Sequence, residues 1–280
     1  SLTMESVPAE SRGIVSGFLQ SGYASGYLVA SLAYGVLFPL IGWRGLFMLG
    51  ILPALLVLYI RRNVAESPGW KRDDSGLAGT VSVLRRHWRL AVYAILLMTA
   101  LNFFSHGAQD LYPTFLKVDH GFKAHAVGAI VVIANLGAIL GGLIFGASSQ
   151  RFGRRRMLVA GALLCLVALP LWLYSDGAPA LAAGAFAVQF MVQGCWGVVP
   201  AHLNELSPAE ARGTFPGVVY QLGNLFASYA APMQAVLAVR YGSYGFALAA
   251  VTILSAIGIV LFAAIGSEAK EADLRVPAPA

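Results

Sequence analysis

Eight long runs of apolar residues follow one another along this chain, and most have the length that an α-helix needs to cross a lipid bilayer. The runs are 14–41, 45–60, 90–116, 126–148, 157–174, 178–200, 213–239 and 245–265. They lack the alternation of polar and apolar residues that marks the strands of a membrane β-barrel. Only 11% of the residues are charged, whereas soluble domains carry about 25%. The sequence therefore predicts an all-α integral membrane protein.

The basic residues are distributed unevenly between the two sides of the membrane that these runs define. If alternate connections lie on the same side, one side holds only Arg44, Lys117, Lys123 and Arg240, and the rest of the 19 Lys and Arg residues lie on the other. Because connections rich in Lys and Arg stay in the cytoplasm, we expect both chain ends to be cytoplasmic and the membrane to be a plasma membrane, such as a bacterial inner membrane. The positive net charge is then explained by the orientation of the protein in the lipid bilayer, and no nucleic-acid partner is predicted.

Two nine-residue segments of the chain are identical at six of their nine positions. Residues 5–13 read ESVPAESRG and residues 205–213 read ELSPAEARG, and Gly42 and Gly242 follow at the same offset. Two unrelated helix starts would also explain the Pro and Glu residues, which are common there. The duplication instead predicts a transporter built from two six-helix halves. The chain would then begin at the end of helix 4, and its eight runs would be helices 5–12 of twelve, with the earlier helices missing.

One ionisable residue lies inside the apolar runs, and a second precedes it by one helical turn. Asp110 is the only charged residue within any run, and His106 lies four positions earlier. A charge at membrane depth costs about 3 kcal/mol on insertion scales, so such residues usually carry a proton, an ion or a substrate. Imidazole titrates near neutral pH, and residues four apart on a helix are neighbours. We interpret His106 and Asp110 as a proton-carrying pair.

Neutral polar residues accompany this pair on the same face of its helix. At about 100° per residue, Asn102, Ser105 and Gln109 fall with the pair inside an arc of about 140°. These side chains could donate hydrogen bonds to a substrate carboxylate, or they could only hold neighbouring helices together. Pro113 is expected to kink the helix and to free a backbone carbonyl.

Two other runs carry polar residues that could line the same cavity. Gln20 lies in the first run, where Tyr23 and Tyr27 are further polar points, and Gln221 and Asn224 lie three apart in the seventh. Ordinary packing is the alternative for all of them. In the fourth run, the spacing of Gly137, Gly141, Gly142 and Gly146 instead predicts close packing of helices.

No catalytic, metal or cofactor motif occurs in the sequence. Cys165 and Cys195 both lie in apolar runs, where we expect buried small hydrophobic side chains. We find no phosphate-binding loop, no metal-ligand spacing and no nucleophile motif. The sequence therefore predicts that the protein is not an enzyme and needs no cofactor.

The connection after the fourth run resembles a motif of the major facilitator superfamily. Residues 146–155 read GASSQRFGRR, which is similar to the family's G-x-x-x-D-R-x-G-R-R, with Gln150 in place of Asp. The nonapeptide resembles the family's signature after helices 4 and 10. The resemblance covers nearly the whole chain and implies a major-facilitator-type helical bundle with eight of its twelve transmembrane helices. It marks these residues as structural positions of the cytoplasmic connections: Glu5, Arg12, Gly146, Arg151, Gly153, Arg154, Glu205 and Arg212.

Within that superfamily, residues 102–114 resemble the signature N-x-x-[S/T]-H-x-[S/T]-Q-D-x-x-x-T, with Ala108 in place of a hydroxyl residue. The signature belongs to lactate/pyruvate–proton symporters, which are grouped with sialic acid–proton symporters. The resemblance implies proton-coupled symport of a small organic acid, a monocarboxylate such as lactate or pyruvate. It implies His106 and Asp110 for the proton, and Asn102, Ser105, Gln109, Gln20, Gln221 and Asn224 for the substrate.

Three alternatives accompany this interpretation. A sialic acid or another carboxylate could be the substrate. Drug–proton antiport is disfavoured, because residues 24–43 lack the Gly-Pro pair that is common in helix 5 of such antiporters. The chain could also be a truncated, non-transporting fragment.

The expected division of the chain follows from the duplication. Residues 1–62 would be the remainder of the N-terminal half, helices 5 and 6. Residues 63–88 would be a cytoplasmic linker, residues 89–266 the C-terminal half with helices 7–12, and residues 267–280 a cytoplasmic tail.

Overall fold

The structure is a computed structural model that describes residues 2–63 and 76–268. Within those ranges the chain forms α-helices, joined by short turns and by two 3-10 turns at Ala9–Ser11 and Ala209–Ala211. The helices are α1 Leu2–Ser6, α2 Arg12–Leu49, α3 Ile51–Asn63, α4 Gly76–Arg86, α5 Trp88–Gln109, α6 Tyr112–Val118, α7 Ala124–Phe152, α8 Arg154–Leu173, α9 Ala178–Leu206, α10 Phe215–Ala227, α11 Ala230–Tyr241 and α12 Tyr244–Ile265.

Seven segments among the described residues are long and apolar enough to cross a membrane. Six of them coincide with the last six predicted runs, and one of these spans α5 and α6 while another spans α10 and α11. The seventh, Leu40–Val57, bridges the first two predicted runs. The expected boundary between 14–41 and 45–60 falls at a kink in α2, where the backbone of Gly42 is not helical, and the helical segments on either side follow directly on one another. Gly42 has a φ of 64°, which glycine adopts without the steric cost of a Cβ.

Helix α7 packs along both α2 and α9, and small residues set the distance between these helices. A Cβ added to Gly141 would collide with the carbonyl oxygen of Phe190 in α9, and one added to Gly146 would lie 2.6 Å from the Cα of Gly17 in α2. The main chains therefore touch, as is common where helices associate inside membranes. The prediction of close packing at these glycines is confirmed.

Gly141→Ala should destabilise the bundle, because its methyl group meets backbone that cannot rotate away. We expect a loss of about 1–3 kcal/mol, the usual range for overpacking, measured as a lower midpoint of thermal unfolding in detergent. Gly128 lies in the same helix and has open space where a Cβ would be. Gly128→Ala is the matched control, and an equal loss in both variants would contradict the packing role of Gly141.

Both copies of the repeated nonapeptide have the same local backbone. Pro8 and Pro208 each precede a 3-10 turn, with φ of −55° in both and ψ of 148° and 140°. The turn is closed in one copy by Ser11 N–H and in the other by Ala211 N–H, each donating to the preceding proline carbonyl at 3.0 Å. The sequence similarity therefore corresponds to one structural unit used twice.

The helix that carries His106 is broken just after it, as Pro113 predicts. Helix α5 ends at Gln109 and α6 begins at Tyr112, with Pro113 in its first turn. The break leaves the carbonyl of Gly107 without its regular helical partner, and the buried side chain of Gln234 in α11 donates to it at 2.7 Å. A carbonyl freed at membrane depth must find such a partner, since no water is present in lipid.

Candidate functional site

His106 and Asp110 are in direct contact where α5 ends. His106 Nδ1 lies 3.2 Å from Asp110 Oδ2, and the two side chains are 36% and 39% exposed. On its other side, His106 Nε2 lies 3.2 Å from Oδ1 of Asn224 in α10. The imidazole is thus held between a carboxylate and an amide, and water or a small solute can still reach it.

A second chain of hydrogen bonds starts on α5 beside the pair and reaches two further helices. Gln109 Nε2 donates to Ser105 Oγ at 2.9 Å, and Gln193 Nε2 of α9 approaches the same oxygen at 3.5 Å. The Oε1 atom of Gln193 accepts from Gln20 Nε2 of α2 at 3.3 Å. Polar side chains of this part of α5 therefore contact α9 through Gln193 and α10 through Asn224, and Gln193 in turn contacts α2.

The structure brings most of the predicted site residues together, but not all of them. Asn102 is buried and donates to the carbonyl of Met98 in its own helix at 2.8 Å, so it does not join the group. Gln221 lies one turn before Asn224 on α10, and its side chain is exposed. Gln193 was not predicted, although it is buried and joins Ser105 to Gln20.

Two tyrosines follow Gln20 on α2. The rings of Tyr23 and Tyr27 lie 5.0 Å apart, and both side chains are about half exposed. Tyr23 lies near Asp110 and Tyr220 of α10. These residues give α2 three polar side chains in the part of the helix that approaches the site.

A buried ion pair lies among the residues of the family motif, at the end of the bundle where α8 begins and α9 ends. We call this end of the bundle the basic end. Arg154 is fully buried, and its Nε and Nη2 donate to the two carboxylate oxygens of Glu205 at 3.0 and 2.9 Å. Its Nη1 donates to Ser149 Oγ at 2.6 Å. Two parallel bonds of this kind are strong and fix the geometry of both groups.

Gln150, which stands where the family motif has Asp, connects this ion pair to α2. Its Oε1 accepts from Arg154 Nη2 at 2.8 Å and from the backbone N–H of Gly13 at 3.2 Å. The neutral amide therefore joins α2 to the ion pair without adding a negative charge.

The beginning of α8 and the end of α12 satisfy each other's unpaired backbone groups. The Glu268 carboxylate accepts from the backbone N–H groups of Arg154 and Arg155, each at 3.2 Å. In return, the Arg155 side chain donates to the carbonyls of Ala263 and Ala264. Each charge also lies at the helix end whose dipole it complements.

The remaining motif residues are distributed around the basic end. Arg12 is buried and donates to the carbonyl of Met4 at 3.3 Å, whereas Arg151 is exposed next to the ring of Phe152. Arg212 is half-buried at the start of the connection to α10. The side chain of Glu5 lies outside the described residues.

Both cysteines are free and buried, as the sequence predicts. Among the residues that the structure describes, His, Cys, Asp and Glu side chains form no group of three that could hold a metal ion.

Comparison with known proteins identifies the family. The model of the Major Facilitator Superfamily matches residues 1–123 and 110–279, which together cover nearly the whole chain. The chain belongs to the major facilitator superfamily. It is therefore a multi-pass membrane protein with that family's helical bundle, and it is not an enzyme.

Several members of the superfamily with transport names are similar to this chain. It is 32% identical over 266 residues to the "Carboxylic acid transporter protein homolog" of Saccharomyces cerevisiae, covering 85% of this chain and 43% of that protein. It is 29% identical over 263 residues to the "Sialic acid transporter NanX" of Escherichia coli, covering 92% and 64%. It is 28% identical over 240 residues to the "Cis,cis-muconate transport protein" of Acinetobacter baylyi, covering 82% and 58%. The chain thus spans about half to two thirds of the length of these relatives.

Proposed function

We propose that this member of the major facilitator superfamily takes part in secondary active transport, a symport of a small organic acid with a proton. The observation that carries the proposal is the His106–Asp110 pair, which is ionisable, lies at membrane depth and remains open to small solutes. A charged residue is energetically costly in that position, so the residues found there usually have a function. The names of the three relatives, which all refer to carboxylic acids, support the substrate class.

The polar groups around the pair suit a carboxylate that arrives together with a proton. The neighbouring side chains are the amides and hydroxyls of Gln20, Ser105, Gln109, Gln193 and Asn224. In the described ranges, no Lys or Arg contacts the pair. A proton on the pair would offset the charge of the acid, so the site loaded with a monocarboxylate and a proton would carry the same net charge as the empty, deprotonated site.

We also propose that the basic end faces the cytoplasm and that residues 1–62 and 89–266 belong to the two halves of a twelve-helix transporter. The uneven distribution of Lys and Arg supports the orientation. The repeated backbone at Pro8 and Pro208 supports the two halves. Alternating access would then move α2 against α9 and α10, between which the polar site lies.

The experiment is uptake of labelled lactate, sialic acid and cis,cis-muconate by the protein in liposomes. We expect one of these acids to accumulate at least about tenfold when the outside is acidic, since one pH unit supplies about 1.4 kcal/mol per proton. A protonophore should abolish the accumulation, and lactamide, which has no carboxylate, should not accumulate. Uptake that is equal with and without the gradient would contradict proton coupling, and no uptake of any acid would contradict the proposed substrate class.

A further inference from the structure

The two hydrogen bonds of His106 determine how many protons the His106–Asp110 pair holds in this structure. Nε2 faces Asn224 Oδ1, and an amide oxygen only accepts, so Nε2 carries a hydrogen. Nδ1 faces the Asp110 carboxylate, and one hydrogen lies between them, on either the nitrogen or the oxygen. In both arrangements the pair holds one proton more than a neutral imidazole beside an ionised carboxylate. With the Asn224 amide in this orientation, the hydrogen bonds match the pair with its proton bound.

Loss of that proton changes the hydrogen bond to Asn224. The remaining hydrogen stays on Nδ1, because an ionised carboxylate can only accept. Nε2 then presents a lone pair to Asn224 Oδ1, and two acceptors would face each other. A half-turn of the Asn224 amide removes this conflict, because it puts the Nδ2 donor next to Nε2.

The same half-turn changes what Asn224 offers to a bound acid. In the present orientation, Nδ2 is turned away from His106, and the residue is only half-buried. Among the residues that the structure describes, no side chain or carbonyl accepts from Nδ2. A substrate carboxylate could accept from it. After the turn, Nδ2 is occupied by His106, and the amide oxygen that replaces it repels a carboxylate.

We propose that Asn224 couples the proton to the acid through the orientation of its side-chain amide. The site then binds a carboxylate tightly only after the His106–Asp110 pair has bound its proton. Because His106 lies in α5 and Asn224 in α10, the amide also transmits the proton's arrival from one helix to the other. This inference rests on the proposed function, to which it adds the order of binding.

Other titratable groups near the pair are the phenols Tyr23 of α2 and Tyr220 of α10. Phenols in model peptides ionise near pH 10, above the range of the test. The other helices that pack around this part of α5 carry charged or imidazole side chains only near their ends, and α12 carries none. Those near the ends are Lys117 in α6, His202 and Glu205 in α9, and Arg240 in α11.

The test compares the dissociation constant of the acid that the uptake experiment selects, in wild type and in Asn224→Leu, between about pH 5 and about pH 8.5. The wild type should bind more tightly at low pH and reach a plateau at each end. In Asn224→Leu we expect affinity on the low-pH plateau to fall about 10–100-fold, the range for a lost hydrogen bond to a charged group. Affinity on the high-pH plateau should change by less than about threefold, because the donor is not offered there.

Two further variants make the result specific. Asn135 of α7 donates to the carbonyl of Val131 in its own helix, at 2.9 Å. Asn135→Leu is therefore the matched control, and both plateaus should stay as in wild type. Asn224→Asp keeps an acceptor for Nε2–H and lacks a donor, so it should lose low-pH affinity as Asn224→Leu does.

Equal weakening of both plateaus in Asn224→Leu would overturn the inference and leave the proposed function standing. It would show that Asn224 supports the site whatever the state of the proton. If the wild type binds none of lactate, sialic acid and cis,cis-muconate, the proposed function fails and the inference fails with it.

Discussion

Replacing Asp110 by asparagine should reduce uptake driven by a proton gradient about 10–100-fold. Asp110 is the partner that holds the hydrogen of His106 Nδ1, at 3.2 Å, and a lost bond to a charged group costs about 1.5–3 kcal/mol, or up to about two orders of magnitude in an equilibrium. Asparagine fills the same space but cannot take up or release a proton. Initial rates of labelled acid uptake into liposomes, with the outside acidic, would measure the effect.

Exchange of labelled for unlabelled acid at equal pH should survive in Asp110→Asn, because exchange needs no net proton movement. Asp119 provides the control: it is exposed and accepts from Ser243 Oγ and from the backbone N–H of Gly245, both at 3.0 Å. Asp119→Asn keeps an oxygen acceptor there and should transport as wild type. If Asp110→Asn accumulates acid as well as Asp119→Asn does, the pair does not carry the proton and has only a structural role where α5 contacts α10.

Arg154→Met should destabilise the folded bundle by about 3–5 kcal/mol. The guanidinium and the Glu205 carboxylate are both fully buried, and removal of one partner leaves the other charge unpaired in a medium of low dielectric constant. The same change also removes the hydrogen bonds to Ser149 and Gln150. The midpoint of thermal unfolding in detergent, followed by helical circular dichroism, would show the loss.

Two comparisons show whether the loss of stability comes from the broken Arg154–Glu205 ion pair or from any substitution at the basic end. Arg151 is exposed in the same connection, and Arg151→Met should change stability by less than about 1 kcal/mol. The double variant Arg154→Met with Glu205→Leu should be more stable than Arg154→Met alone, because no unpaired charge remains. If the double variant is the less stable of the two, the desolvated Glu205 is not the cause of the loss.

The sequence predicts the parts of this protein that follow from local pattern. Apolar length predicted six of the seven spanning segments, and Pro113 predicted the interruption between α5 and α6, because proline has no N–H to donate to a carbonyl one turn earlier. The four-residue spacing of His106 and Asp110 was enough to predict their contact, since it depends on helix geometry alone.

The structure adds what depends on residues far apart in the chain. Gln193 is one amide in an apolar run, and only the approach of α2 and α5 shows that it joins Gln20 to Ser105. Gln234 likewise pairs with a carbonyl 127 residues away. Asn102 shows the opposite limit: it shares the helical face of Gln109, yet its amide bonds to the carbonyl one turn back.

Gly42 lies at the boundary that the sequence placed between the first two runs. Its backbone is not helical, with a φ of 64°, which glycine adopts without the steric cost of a Cβ. The structure adds that no loop is needed there, because the helical segments on either side follow directly on one another.

The position of Arg154 in the chain has a consequence for how the protein is made. Its carboxylate partner, Glu205, is synthesised 51 residues later, and at about 5–20 residues per second this delay is roughly 3–10 s. Glu268, which caps the same helix start, follows 114 residues after Arg154. During that interval the guanidinium has Ser149 and Gln150, which precede it in the chain, as partners, and its charge is neutralised only when Glu205 arrives. Burial of a paired Arg154 therefore follows the insertion of α9, which makes the start of α8 a late step of membrane assembly.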